Sequence, residues 1–186
     1  GKKLGSKALT VWIGDGTNFP GQQSLSRAFE RYIEAAQQIY SALPSDWRML
    51  IEHKLYEPAF YSTVISDWGS SLLAAQQLGP KAQCLVDLGH HAPNVNIEQI
   101  VAWLLDEDLL GGFHFNDRRY ADDDLTLGSI DPYQVFRIFH EIHFFAADRG
   151  RRPKIAYMID QCHNEKPKIE ATIQTIVMAQ ELYAKA

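Results

Sequence analysis

With 186 residues, 46% of them apolar and 22% charged, the chain has the length and balance of a globular protein able to bury a real core. A formal net charge of −5 without a basic stripe argues against a polyanion-binding module, so no nucleic-acid partner is expected. No apolar run approaches the roughly 18–20 residues of a membrane span, and no signal-peptide pattern opens the sequence, so no membrane partner and a cytoplasmic location are expected.

The chain opens on Gly1-Lys-Lys-Leu-Gly, which reads as the tail of a helix. From there, β-favouring runs alternate with helical stretches. A strand over Ala8–Ile13 precedes a helix over Ser24–Tyr40, and a strand over Met49–His53 precedes a helix over Asp67–Leu78. Strand Cys84–Leu88 leads to helix Asn96–Asp106, strand Gly112–Phe115 to helix Asp131–Ala147, and strand Ile155–Ile159 to helix Lys166–Ala184. Gly and Pro punctuate the joins at Pro44, Gly79–Pro80, Gly111–Gly112 and Gly150, where helices and strands must stop. Asn96 reads as an N-cap, and Asp131–Pro132 as an N-cap followed by proline at the first helical position. Five strand–helix units in a row predict a parallel α/β sheet. It can be part of a (β/α)₈ barrel or a doubly wound sheet. A closed barrel takes about 250 residues, so the chain reads as a single partial-barrel domain over residues 1–186, belonging to a longer protein.

Side chains alternate across a strand, which sorts the charges. Leu50, Glu52 and Lys54 share one face, against Met49, Ile51 and His53 on the other. Leu85 and Asp87 oppose Val86 and Leu88, His114 opposes Phe113 and Phe115, and Met158 and Asp160 oppose Tyr157 and Ile159. Four successive strands thus carry one face that turns charged at its C-terminal end, where barrel enzymes place their catalytic groups. Taken singly, Glu52 is a loop-edge charge, His114 a core histidine and Lys54 a surface lysine. Together, carboxylates at Glu52, Asp87 and Asp160 with the His114 imidazole would cost several kcal/mol per buried ion unless a cation joined them. A second group lies beside the first: His90 just past the strand of Asp87, and Asp122 and Asp124 in the acidic loop after His114. On their own these two acids are a solvated charge run. With two divalent ions and Lys54 the five carboxylates balance in charge, and oxygen and imidazole donors suit manganese, magnesium or cobalt over structural zinc. Cys84 and Cys162 are far apart in sequence, and two buried thiols are expected in preference to one disulfide.

The segments Val11-Trp-Ile-Gly-Asp-Gly-Thr-Asn-Phe-Pro, Ile51-Glu-His-Lys-Leu-Tyr-Glu-Pro, Val86-Asp-Leu-Gly-His-His, Gly112-Phe-His-Phe-Asn-Asp and Met158-Ile-Asp-Gln-Cys-His-Asn together resemble the L-rhamnose isomerases. They match best the bacterial branch with broad aldose specificity, within the xylose isomerase-like barrel superfamily. The resemblance implies that Ala8 opens the fourth strand of a (β/α)₈ TIM barrel and Ile155 the eighth. It implies an aldose–ketose isomerase interconverting L-rhamnose and L-rhamnulose, and a homotetramer acting on a small-molecule sugar. By this likeness Glu52, Asp87, His114 and Asp160 hold a structural metal, and His90, Asp122 and Asp124 a catalytic one. Manganese comes first, with cobalt, magnesium or zinc as alternatives. Lys54 lies beside the substrate carbonyl and Trp12 walls the pocket. Lys54, Asp160 and His90 are the expected catalytic residues, and Trp12, Lys54 and Asp122 the substrate-binding ones. Hydride shift between C2 and C1 and enediol proton transfer both remain open. The rival functions are a sugar epimerase, a xylose-type isomerase, an abasic-site endonuclease and a non-catalytic fragment. The acidic balance speaks against the endonuclease.

Overall fold

The computed structural model describes residues 1–17 and 19–186; Asn18, part of the first matching segment, lies outside the described residues. A short 3₁₀ turn, Lys2–Leu4, ends on Gly5 in the left-handed conformation. Five strand–helix units follow: β1 Ala8–Val11, α1 Leu25–Ala42, β2 Arg48–Glu52, α2 Trp68–Leu78, β3 Ala82–Asp87, α3 Ile97–Asp106, β4 Leu110–Phe115, α4 Pro132–Arg149, β5 Ala156–Ile159 and α5 Lys168–Lys185. The strands form one sheet in chain order, β1-β2-β3-β4-β5. The pairs β1/β2, β2/β3 and β4/β5 are parallel. Every expected strand and helix is present, with ends shifted by at most two residues, and the sheet is parallel α/β as expected. By contacts the chain divides into two compact units, Gly1–Leu85 and Val86–Ala186. The division falls inside β3.

The first unit buries the middle of β2. Met49, Leu50 and Ile51 are wholly inaccessible, as expected of a strand covered on both faces. Tyr32 and Ala36 of α1 and Ala74, Ala75 and Leu78 of α2 complete this core. The hydroxyl of Ser71, on α2, donates to the carbonyl of Ile51 at 2.8 Å, so a buried polar group on the helix is satisfied by the strand it covers. Asp67 starts α2 with a capping box: its carboxylate accepts from the Ser70 amide at 2.8 Å, and its own amide donates to the Ser70 hydroxyl at 3.1 Å.

In the second unit the apolar positions of α3 (Ile97, Ile100, Val101, Leu104, Leu105) and of α4 (Val135, Ile138, Phe139, Ile142) recur at helical spacing and are buried. They pack these helices on each other and over Phe113 and Phe115, whose rings stack at 5.0 Å. The expected caps form: Asn96 accepts from the Gln99 amide and Asp131 from the Gln134 amide, each at 2.9 Å. Gly150, at φ 62°, closes α4 in a conformation that costs a side-chain-bearing residue energy. Gly112 lets β4 approach β5, since a Cβ there would stand 2.8 Å from the Ala156 carbonyl oxygen.

Two expectations need correction. Cys84 is buried but Cys162 is exposed, and both thiols are free; Cys162 sits in the loop after β5, outside any core. The face of β5 bearing Tyr157 and Ile159, which a barrel strand would turn toward its helices, is half open. These residues are 50% and 38% exposed, because β5 is an edge strand. With Phe115, Phe139 and α5 they line an apolar groove of about 380 Å³. Among the described residues no helix is long and apolar enough to cross a membrane.

Candidate metal centre

In the second unit, three consecutive strands deliver one side chain each to the same place. Asp87 ends β3, His114 lies in β4, and Asp160 follows β5. Backbone bonds set the alignment: the Leu88 amide donates to the His114 carbonyl at 3.3 Å, and the Asp160 amide to the Phe115 carbonyl at 3.2 Å. His114 Nδ1 consequently stands 3.4 Å from Asp87 Oδ2 and 3.4 Å from Asp160 Oδ2. The second group shares Asp87. His90, in the turn after β3, places Nε2 at 4.0 Å from Asp87 Oδ2 and 3.3 Å from Asp122 Oδ2. Within each group the candidate ligand atoms lie no more than 4.8 Å apart. Six of the seven expected ligands thus lie in this unit, and five of them fall in these two groups.

The burial and bonding of Asp87 show what the centre lacks. Its carboxylate is wholly buried. Oδ1 accepts from the Gly89 amide at 2.8 Å and from Asn116 Nδ2 at 2.9 Å. Oδ2 is buried without a hydrogen-bond partner. A buried carboxylate oxygen left in this state is costly, and a divalent cation is a partner that removes the cost. Oxygen and imidazole donors with no thiolate are the donor chemistry of manganese, magnesium or cobalt. The residues present therefore fit a divalent ion.

Asp124 is not among the residues of either group. It still feels them: burial, then the charges of Asp122, Asp160 and Asp87, push its carboxyl up to about 7. Crowded acids of this kind signal a centre short of positive charge.

The acidic loop is built by residues that the sequence reading passed over. Asp117, buried at the end of β4, pairs its backbone with Leu125 in both directions, at 2.9 and 2.8 Å. Its carboxylate accepts from the amides of Arg118, Ile130 and Asp131 at 2.8, 2.7 and 3.0 Å. Asp123 turns inward on the loop, accepting from the amides of Arg119 at 2.5 Å and Tyr120 at 2.8 Å. That leaves Asp122 for the centre. Arg118 donates to the carbonyls of His91 and Ala92, tying this loop to the turn that carries His90. Gly89 is required in that turn, because a Cβ there would come within 2.5 Å of Asp122 Oδ1. The signal for Asp117 was its place beside Asn116 at a strand end, where acids cap loops.

The remaining expected residues belong to the first unit. Glu52, buried, ends β2, with Leu85 of β3 as its register partner. The ammonium of Lys54, just beyond, stands over the Trp12 ring at 5.1 Å from its centre and 3.1 Å from Glu57 Oε2. Glu57 in turn belongs to a loop stitched to the one after β1, through Gly16 amide to Glu57 carbonyl at 2.7 Å and Thr17 amide to Ser62 carbonyl at 3.0 Å. The structure thus brings Trp12 and Lys54 together.

No protein-family model matches the chain. Two curated proteins, each named as a probable sugar isomerase, align with all of it: one of Rhizobium meliloti (strain 1021) at 57% identity and one of Mesorhizobium japonicum at 56%. The fold is similar to that of a xylose isomerase domain protein from Alicyclobacillus acidocaldarius (TM-score 0.65, 16% identity) and of protein SMc04130 from Sinorhizobium meliloti 1021 (TM-score 0.63, 16% identity). Each likeness covers 98% of this chain and 66% of the other. The chain is therefore similar along its whole length to proteins named as probable sugar isomerases, of which it spans 43%, and shares the fold of a xylose isomerase domain protein.

Proposed function

We propose that the chain carries the metal-binding part of an aldose–ketose isomerase whose substrate is L-rhamnose, and whose other substrates are related aldoses. The observation that carries the reading is Asp87 Oδ2, wholly buried, without a hydrogen-bond partner, and facing two imidazoles with a further acid beyond each. The two relatives named as probable sugar isomerases support the isomerase class.

On this reading Asp87, His114 and Asp160 hold one divalent ion, with Glu52 as a fourth ligand, and His90, Asp122 and Asp124 hold a second. Glu52 is included as a buried carboxylate at the C-terminal end of its own strand. Manganese is the first choice of metal. The bound ions would supply Lewis acidity at two adjacent sugar oxygens. The protein's own side chains then do the rest. Lys54, held by Glu57 against Trp12, stabilises negative charge developing on the carbonyl oxygen. Trp12 offers an apolar wall to the sugar's C–H face. In the reaction the C2–H bond breaks and its electron pair goes with the hydrogen to C1. The C2 hydroxyl proton ends on the C1 oxygen, so the aldose becomes the ketose without external oxidant. In the alternative route, enediol proton transfer, Asp160, half exposed at the centre, would act as the base. The working enzyme is a cytoplasmic homotetramer in this proposal.

The test is incubation of full-length protein with L-rhamnose and manganese, with ketose formation as the readout. Turnover that disappears with EDTA and returns with manganese or cobalt supports the reading. Undiminished turnover after exhaustive chelation sinks it.

A further inference from the structure

Asn116 follows β4 and is wholly buried, although asparagine is usually a surface residue. Its Nδ2 donates to Asp87 Oδ1 at 2.9 Å, and the Gly89 amide donates to the same oxygen at 2.8 Å. Two donors thus converge on one oxygen of a carboxylate whose other oxygen has none. A carboxylate held this way cannot exchange its oxygens by rotation about Cβ–Cγ.

The orientation of the amide follows from chemistry. With the carbonyl turned toward Asp87, two acceptors would meet, so the amino group must face the carboxylate. The consequence is an unmet acceptor: Asn116 Oδ1 is buried with no hydrogen-bond partner. A leucine would fill similar space without leaving a polar atom stranded. An aspartate would add another negative charge to a centre already crowded with acids. Packing alone does not explain why an amide stands here, whereas the need for a neutral donor to Asp87 Oδ1 does.

We propose that Asn116 is a positioning residue, which with the Gly89 amide pins Asp87 so that Oδ2 is presented to the divalent ion that it would share with His114 and Asp160. The proposal rests on the divalent-metal reading above and adds to it a group that touches neither metal nor sugar. Partners of metal ligands commonly change metal affinity by about 10–100-fold when removed, which sets the expected size.

The experiment uses full-length protein stripped of metal, with Asn116→Leu, which removes the donor at near-constant volume, and Asn116→Ala, which removes it with less risk of strain. Circular dichroism establishes which variants fold, and one folded variant suffices. Cobalt is titrated against each protein, following its visible absorption, and manganese affinity is read by competition with a chelating dye. The expected result is a dissociation constant raised about 10–100-fold and a shifted cobalt spectrum, because Asp87 then binds in a different mode. A purely structural role would leave the spectrum of a folded variant unmoved. If wild-type protein binds cobalt and a folded variant binds it within about twofold with an unchanged spectrum, against the 10–100-fold expected, Asn116 has no such role and the metal reading stands. If wild-type protein binds neither ion, the functional reading falls and this inference falls with it.

Discussion

Asp87 Oδ2 stands 3.4 Å from His114 Nδ1, while the other oxygen of the same carboxylate is already taken by two donors. The pair thus has one free carboxylate lone-pair site and one imidazole nitrogen aimed at a common point, the arrangement a cation needs. Replacing Asp87 with asparagine keeps the size and removes the charge. Asp87→Asn is expected to weaken divalent-metal binding on the order of 100-fold, the upper end for lost coordination support. Its fold should survive, since the metal-free variant no longer buries a carboxylate charge with an oxygen that lacks a hydrogen bond. Dye competition and circular dichroism measure the two effects. Unchanged manganese affinity in the variant would place the ion elsewhere.

A second expectation separates the two groups of ligands. Glu52 is buried at a strand end, whereas Asp122 is reached from a loop. Glu52→Ala should therefore lower both metal retention and the melting temperature of the loaded protein, by about 2–4 °C for each kcal/mol lost in a domain of this size. His90→Ala and Asp122→Ala should cut turnover strongly with little change in melting temperature. If Asp122→Ala melted well below Glu52→Ala, the structural and catalytic assignments would be reversed.

The strand–helix alternation was legible because each element carries its own local signal. Asn96 and Asp131 cap where they were expected to, and the apolar spacing of α3 and α4 matches the buried positions. Asp87, His114 and Asp160 could be placed on a common face by strand periodicity, since adjacent parallel strands hold such residues in register. Loop residues have no comparable rule. The acids 122–124 alternate in role because Asp123 folds back on its own loop amides, a fact set by the turn and invisible in the run of three aspartates. Asn116 and Asp117 went unassigned because their partners are a neighbouring strand end and backbone amides as far as 14 residues away. Cys162 was misplaced because an apolar residue type says little about burial once the strand has ended.

The cysteines give a prediction independent of metal. Burial pushes the Cys84 thiol up to about 11 from its ordinary 9.0, against the opposing effect of a hydrogen bond with Ser71. At pH 8 a thiol reagent should label Cys162 within minutes and leave Cys84 untouched until denaturant is added, as mapped by peptide mass spectrometry. The sign of the linkage follows. The raised pKa stabilises the fold fully below about 9, and that contribution is lost as pH rises toward 11. Urea midpoints should accordingly fall between those values, and fall less in Cys84→Ala once its lower starting stability is subtracted. Rapid labelling of Cys84 in native protein would show that its strand is not the closed core described above.

Asp117 offers the sharpest test of how the acidic loop is held. Its carboxylate receives three backbone amides, from Arg118, Ile130 and Asp131, while its own backbone is paired with Leu125. The Ile130 and Asp131 amides open the approach to α4, so the one side chain joins the beginning of the loop to its end and to the cap of the next helix. Asp117→Ala leaves these donors without their acceptor. Unmet buried groups cost about 1–3 kcal/mol each, with water recovering part where it can enter. At about 2–4 °C per kcal/mol, the melting temperature should drop by several degrees even in metal-free protein. Asp117→Asn keeps one acceptor oxygen and should lose roughly half as much. The loop also carries Asp122, so both variants should weaken the second metal group more than the first, which is read by comparing the tight and weak phases of a manganese titration. A loss of stability with both phases intact would mean that Asp117 fastens the helix cap alone and that Asp122 is placed by Gly89 and Arg118 without it.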